Sequence, residues 1–431
     1  MSATDVVEVS GHIIDSLILA KILDEIIEAE ADYRIVQMDV GKAPADLSRA
    51  RIEVTAANDD ALAALLSRLH PHGAHPVTQP DAELVAATMD GVLPAGFYST
   101  TNLPTAVKVD GRWLEVENPE MDCGLVVSAD HTRARTAPMH TVRMGDLVVC
   151  GSEGVRVRPL ERPSGRSPFE FMASEVSSEK PKALLVAEVA ERIRRARAGG
   201  GKLLAVCGPA VIHTGAGPDV ATLVREGFID VLFAGNGFAT HDIESNLLGT
   251  SLGISVREGT GVEGGHANHL RVINEVRRWG SIRAGVERGL LRGGVMYECV
   301  AHGVPFVLAG SIRDDGPLPD VIPDTLAAQD AMRSHTATAT FAVFVATALH
   351  AIAVGNMLPA FVDAGVTEDI RPLTTICVDQ TEFVVTKLRD RGTHQAYGVV
   401  TNAQDFMHVL RFYVERWQQA TPAPTPARSS R

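Results

Sequence analysis

The segment Phe233-Ala-Gly-Asn-Gly-Phe-Ala-Thr-His-Asp-Ile-Glu-Ser-Asn246 gathers residue types that can do chemistry. An apolar run, Val231 to Ala234, stops at a turn, Gly235-Asn236-Gly237, and His241, Asp242 and Glu244 follow at once. Histidine and carboxylates can take and return protons, and asparagine can fix a polar ligand. Two similar stretches follow. Val307 to Asp315 ends in Gly310-Ser311-Ile-Arg313-Asp314-Asp315, and Thr375-Ile-Cys-Val-Asp379 ends in a carboxylate. Small residues at 310 and 311 admit a ligand to the backbone, while Arg313, Asp314 and Asp315 place both charges at one strand mouth. A salt-bridged surface loop would use the same residues.

Other turns carry weaker signals. Cys207 to Gly217 is glycine-rich but lacks the full GxGxxG pattern, so it reads as a ligand loop or as a plain turn. Gly355-Asn356-Met357-Leu358 follows an apolar run and either exposes amides to a phosphate or caps a helix. Asp379 suits ribose hydroxyls or a helix N-cap. His266 and His269 are three apart, yet no cysteine or acid matches their spacing, so no metal site is expected.

These residues need a scaffold, and apolar periodicity describes one. Val6–Val9, Tyr33–Val40 and Arg51–Thr55 read as strands, with helices opening at Gly11 and after Asn58. This β-α-β-β-α order fits a small ferredoxin-like α+β domain over residues 1–90. Residues 91–165 read as a β-rich segment packed with it, including a hairpin around Asp110-Gly111. Arg162 to Pro168 forms a linker. Residues 166–420 alternate helices with strands that are apolar on both faces, the mark of a parallel sheet covered on both sides. The fold class is therefore α/β, with a Rossmann-like third part. Phe341 to Val354 reads as a buried core helix, and the Pro/Ser-rich residues 421–431 as a disordered tail.

Composition excludes several classes. With 40 Lys+Arg against 53 Asp+Glu, the net charge of −13 gives no reason to bind nucleic acid. The basic run Arg192 to Arg197 fits a solvated helix face. Five cysteines without paired spacing read as buried free thiols in a reducing cytoplasm. No apolar run reaches the roughly 18 residues of a membrane span.

Specific motifs add a resemblance. Gly11-His-Ile-Ile-Asp-Ser-Leu-Ile-Leu-Ala-Lys21 and Met38-Asp-Val-Gly-Lys42 resemble the small domain of proteins related to lysine-oxoglutarate reductase/saccharopine dehydrogenase. Cys207-Gly-Pro-Ala-Val-Ile-His-Thr-Gly215, Gly235 to Glu244, Gly310 to Asp320 and Gly355 to Pro359 resemble the archaeal-type ornithine cyclodeaminases. They also resemble the C-terminal part of the cyanobacterial arginine dihydrolase/ornithine cyclodeaminase. Thr401-Asn-Ala-Gln-Asp-Phe406 is similar to a run in deoxyhypusine synthase, whose fold holds NAD without GxGxxG.

The resemblance implies conversion of L-ornithine to L-proline and ammonia by internal hydride transfer through bound NAD. It implies an amino-acid substrate; a homo-oligomer is also expected, and charge and hydropathy give no nucleic acid or membrane partner. Asp315, Asp314, Asp242 and Glu244 are then the candidate acid–base groups, Asp315 ranked first, and Arg313 or Lys42 would meet the substrate carboxylate. Asn236, Gly237, Gly310, Ser311, Gly355, Asn356, Met357, Leu358 and Asp379 would line the cofactor. Two alternatives stay open: an NAD-dependent amino-acid or saccharopine-type dehydrogenase, and a non-catalytic NAD-binding sensor.

Overall fold

The structure is a computed structural model, and it describes residues 2–14, 17–42, 46–158, 182–198, 200–252, 254–255, 268–314, 316–363, 370–381 and 396–420. Asp315, His266, the Arg162–Pro168 linker and the tail 421–431 lie outside these residues. The chain divides into two compact units. One comprises Met1–Phe171 with Asn356–Phe361, the other Met172–Gly355 with Val362–Arg431.

The first unit holds two sheets. Strands Ala3–Gly11, Asp32–Asp39, Ser48–Ala56 and His75–Pro76 alternate with helices Ile18–Glu28 and Asp59–Leu69. Their antiparallel order puts Ala3–Gly11 between Ser48–Ala56 and His75–Pro76, with Asp32–Asp39 at the edge. This is the split β-α-β-β-α-β arrangement. Val7, Val9, Ile52 and Val54 alternate with less buried residues and face Ile22, Ile26, Leu65 and Leu69 of the helices. Asn58 caps its helix as its side chain suggests, accepting from the Ala61 amide at 2.8 Å.

The second sheet has seven strands. Asp110 (φ 50°) and Gly111 (φ 76°) form the tight turn between Thr105–Val109 and Arg112–Glu117. Strand Glu83–Ala86, inside the stretch assigned to the small domain, pairs instead with Leu147–Cys150 in this sheet.

The second unit is built on seven parallel strands. From one edge they run Val321–Ile322, Phe306–Ala309, Val231–Gly235, Leu203–Cys207, Phe341–Val345, Thr374–Asp379 and Ala396–Val400. The unit's first strand is central and the order reverses between Leu203–Cys207 and Phe341–Val345, the doubly wound pattern. Every residue of these two strands is buried, because helices need apolar partners on both faces. Phe233, Phe238, Phe344 and Phe406 are among the largest fully buried side chains. Each contributes about 1.5–3 kcal/mol of burial.

The Phe341–Val354 run is not one helix. Phe341–Val345 is a strand, and helix Ala348–Met357 follows it. A short all-apolar run cannot by itself separate a buried strand from a buried helix; the β-branched and aromatic Phe-Ala-Val-Phe-Val favours the strand. The basic run lies in helix Lys182–Ala198, where Arg194 and Arg195 pair with Glu191 and Arg197 with Asp230. All five cysteines are buried, and none is in a disulfide. Among the described residues no helix is long and apolar enough to cross a membrane.

Candidate functional site

In a doubly wound sheet the ligand crevice lies beyond the carboxyl ends of the strands, where their order reverses. Here that point is flanked by Gly208 and Ala346. The Gly208 amide donates to the Val345 carbonyl at 2.9 Å, and Ala346 takes a left-handed φ of 53°. A non-glycine residue held there costs about 1–2 kcal/mol, and such strain collects at functional sites. Thr401 follows strand Ala396–Val400 directly, and Thr214 is the C-cap of helix Ala210–His213. Each buries a hydroxyl oxygen that has no partner among the described residues.

The Gly-Asn-Gly segment is a helix start rather than an open turn. Gly235 (φ −111°) is the N-cap, and helix Asn236–Leu247 begins immediately. The Asn236 side-chain oxygen Oδ1 accepts the Leu318 amide at 3.0 Å, so this side chain anchors the 310–320 segment. A Cβ added at Gly237 would stand 3.7 Å from Pro209, an ordinary van der Waals contact, so a methyl group fits there.

Gly310 is a glycine for a different reason. A Cβ there would meet Pro323 Cα at 2.9 Å, and its amide donates to the Ile322 carbonyl at 2.9 Å. Ser311, Arg313 and Asp314 then form a compact turn. The Ser311 amide donates to Asp314 Oδ2 at 2.9 Å, and the Arg313 amide to Ser311 Oγ at 3.2 Å.

His350 packs on this edge, its Cε1 3.2 Å from where a Cβ on Gly235 would stand. Burial lowers the pKa of its ring, opposed by the Asp314 carboxylate. His350 lies within the apolar run Phe341–Val354, where the sequence alone gives its ring no polar signal.

The predicted acidic groups separate sharply. Asp242 is 1% exposed, and its two oxygens accept the Val295 and Met296 amides at 2.9 and 2.8 Å. It therefore caps helix Val295–Ala301 from a neighbouring helix, with both oxygens engaged by backbone amides. Burial pushes its pKa up to about 6 against the pull of those amides. Glu244, fully buried, turns the other way: Oε2 meets His241 Nδ1 and Oε1 accepts the Thr250 hydroxyl, both at 2.8 Å. The His213 ring lies edge-on to His241 at 4.6 Å.

Asp379 ends its strand as expected, and its Oδ1 accepts both the amide and the hydroxyl of Thr381 at 3.0 Å. Gly355 and Asn356 are not in an exposed turn, since helix Ala348–Met357 continues through them. Asn356 groups with the first unit, where its side chain reaches Asp122 at 3.4 Å and its carbonyl accepts the Met121 amide at 3.2 Å. Met357 and Leu358 are buried, and Lys42 is exposed, its amide donating to Asp46 at 3.0 Å.

Comparison with known proteins places this architecture. Residues 187–410 match the family described as arginine dihydrolase ArgZ-like, C-terminal, Rossmann fold; residues 104–186 match its first region. Residues 4–103 match the LOR/SDH bifunctional enzyme conserved region. An ornithine cyclodeaminase of Methanopyrus kandleri is 50% identical over 407 residues, covering 94% of this chain and 96% of its own. A conserved putative LOR/SDH protein from Methanococcus maripaludis S2 has a crystal structure 45% identical to the chain. It aligns with a TM-score of 0.71 over 79% of this chain and 99% of its own. AgrE, a bifunctional arginine dihydrolase/ornithine cyclodeaminase of Nostoc sp., is 39% identical over 94% of this chain and 57% of its own. The ternary complex of AgrE with ornithine and NAD+ aligns with a TM-score of 0.52 at 36% identity, over 97% of this chain and 59% of that one. The present chain belongs to the ornithine cyclodeaminase family.

Proposed function

We propose that this protein is an NAD-dependent ornithine cyclodeaminase, converting L-ornithine to L-proline and ammonia. The observation that carries this reading is the 50% identity with an ornithine cyclodeaminase over 94% of the chain. Bound NAD supplies a reversible acceptor for the Cα hydrogen and its electron pair, so it is restored in every cycle.

The residues present fit that cofactor. The strand order provides the crevice, and the Thr401 hydroxyl, buried one residue past its strand, has no partner among the described residues. Asp379 stands at a strand end, where a carboxylate can accept ribose hydroxyls. Gly310 and Ser311 supply backbone at the same edge. Asn236 contributes by holding that loop through the Leu318 amide, and Gly237, next in the same helix, stays a candidate on sequence grounds. Arg313, exposed beside Asp314, suits the substrate carboxylate; Lys42 of the first unit and Asp315 remain candidates on sequence grounds.

The five buried thiols, none in a disulfide, support a reducing cytoplasm. Edge strand Asp32–Asp39 exposes Ile35, Val36 and Met38, and Val40 and Leu47 beside it are also exposed, which supports a homo-oligomer. Light scattering of the purified protein reads that state directly.

The function is tested by incubating the purified protein with L-ornithine and measuring proline, ammonia and reduced cofactor. Equimolar proline and ammonia without net reduced NAD is expected. Accumulating reduced NAD without proline would instead indicate a dehydrogenase.

A further inference from the structure

Cyclodeamination sets a demand that no residue above has yet met. The α-amino group of ornithine is an ammonium at neutral pH, and its nitrogen cannot form a double bond to Cα while its electron pair is tied up in an N–H bond. A neighbouring group must take that proton. A proton must later return to the same nitrogen as it departs in ammonia.

We propose that His241 is this acid–base group and that Glu244 is its positioning residue. The proposal rests on the ornithine cyclodeaminase reading. Both residues lie on helix Asn236–Leu247, three apart and so on one face. An ionised carboxylate only accepts, so the 2.8 Å contact with Glu244 Oε2 fixes the imidazole proton on Nδ1. The Nε2 lone pair is thereby left as the acceptor. This is the logic by which a buried carboxylate orients a catalytic histidine in other enzymes.

Glu244 is itself held. Its Oε1 accepts the Thr250 hydroxyl at 2.8 Å, Thr250 Oγ1 accepts from Asn268 Nδ2 at 2.9 Å, and Asn268 Oδ1 accepts from Arg271 at 2.9 Å. Such a chain of polar contacts, reaching strand Thr250–Ser251 and helix Asn268–Trp279, exceeds what is needed to bury one helix.

The groups that face His241 support the assignment. His213, from helix Ala210–His213, lies edge-on at 4.6 Å, with Nδ1 2.8 Å from Ser251 Oγ. Burial pulls its pKa down to about 4, helped by His241 and opposed by Glu244, so it stays neutral and does not compete for the proton. His269, from helix Asn268–Trp279, is 6.4 Å away. Asp242, next in sequence, is turned toward the Val295 and Met296 amides. Three imidazoles beside a carboxylate would also suggest a metal. Among the described residues, though, no three of His, Cys, Asp and Glu are placed to share one.

The proton step balances. An N–H bond of the α-ammonium breaks, its electron pair stays on nitrogen, and the proton joins His241 Nε2. When the C–N bond to that nitrogen breaks, the nitrogen carries away the bond pair and His241 returns the proton, releasing ammonia and restoring the neutral imidazole.

The test uses the full chain with its bound NAD. His241→Asn keeps a donor toward Glu244 but removes the base. It is expected to lower kcat for proline by about 10²–10⁴-fold while bound NAD and Tm stay unchanged. The acid limb of the wild-type pH profile should vanish, and activity should recover partly at high pH, where the substrate amine loses its own proton. Glu244→Gln is expected to lower kcat with KM unchanged and to move the acid limb to lower pH. This second variant reads the proposal independently if the first misfolds. His241→Asn with wild-type kcat and an intact acid limb would overturn the assignment, as would Glu244→Gln with an unmoved pH profile. A wild-type chain that binds NAD but makes no proline would overturn the underlying functional reading instead.

Discussion

The carbonyl oxygen of Ala346 occupies the space that a Cβ on Gly208 would need. The two residues end the central strands of the parallel sheet at the point where strand order reverses. The Ala346 amide donates to the Val378 carbonyl at 2.9 Å, which fixes it in its left-handed conformation. Gly208 is thus required by packing against the next strand. Gly208→Ala should cost about 1–3 kcal/mol or more, seen as a lower Tm and weaker NAD retention. Ala346→Gly should leave stability unchanged or raise it, since the left-handed penalty is removed.

Asp242→Asn tests the division of labour on helix Asn236–Leu247. An asparagine amide would face a backbone N–H that the carboxylate now accepts. Stability should fall by about 1–3 kcal/mol. Chemical denaturation reads that loss, and the acid limb of the kcat profile should stay where it is. A shifted limb with unchanged stability would mean that Asp242 reaches the chemistry.

Acid stability should be set largely by histidines of the first unit. His70 is held down to about 3 by burial and then by His75, and His75 to about 4 mainly by burial. Their folded values lie below the 6.5 of the unfolded chain, so unfolded protein takes up protons first. Their contribution is therefore complete above about pH 6.5 and is lost as pH falls toward 4, by a few kcal/mol together. Asp242 runs oppositely. Its folded value near 6 exceeds 3.8, so its term is present below pH 3.8 and lost as pH rises through 6. Thermal melts from pH 7.5 to 4 should fall with acid. Replacing His75 with Gln should flatten that fall.

Asp379→Ala should raise the Kd for NAD about tenfold, equivalent to about 1.4 kcal/mol, by removing an acceptor for a ribose hydroxyl. Calorimetric titration of cofactor-stripped protein reads this. An unchanged Kd would confine Asp379 to its contacts with Thr381.

Much of the fold was legible because burial imposes period. Strands such as Leu203–Cys207 and Val231–Gly235 are apolar throughout, and Asn58 announces its helix. The Gly-Asn-Gly segment misled because glycine and asparagine suit both a turn and a helix start. Only the extended φ of Gly235 (−111°) and the helical residues after it decide between them. Chemistry was less legible than fold. Asp242 and Glu244 sit two apart on one helix and so face different partners, a distinction that residue type does not carry. His350 was hidden in an apolar run, and His213 in a motif read for its glycines. The i, i+3 spacing of His241 and Glu244 was the one available signal, and it becomes meaningful only once the segment is known to be helical.

The most direct test of the account follows the Cα hydrogen of the substrate. Purified protein is given L-ornithine deuterated at Cα, and the proline is analysed by mass spectrometry and NMR. Because bound NAD accepts and returns that hydrogen within one turnover, proline should keep the deuterium at Cα while no reduced NAD accumulates. Proline that has exchanged the deuterium for solvent hydrogen, or reduced NAD formed in step with ornithine consumed, would contradict it.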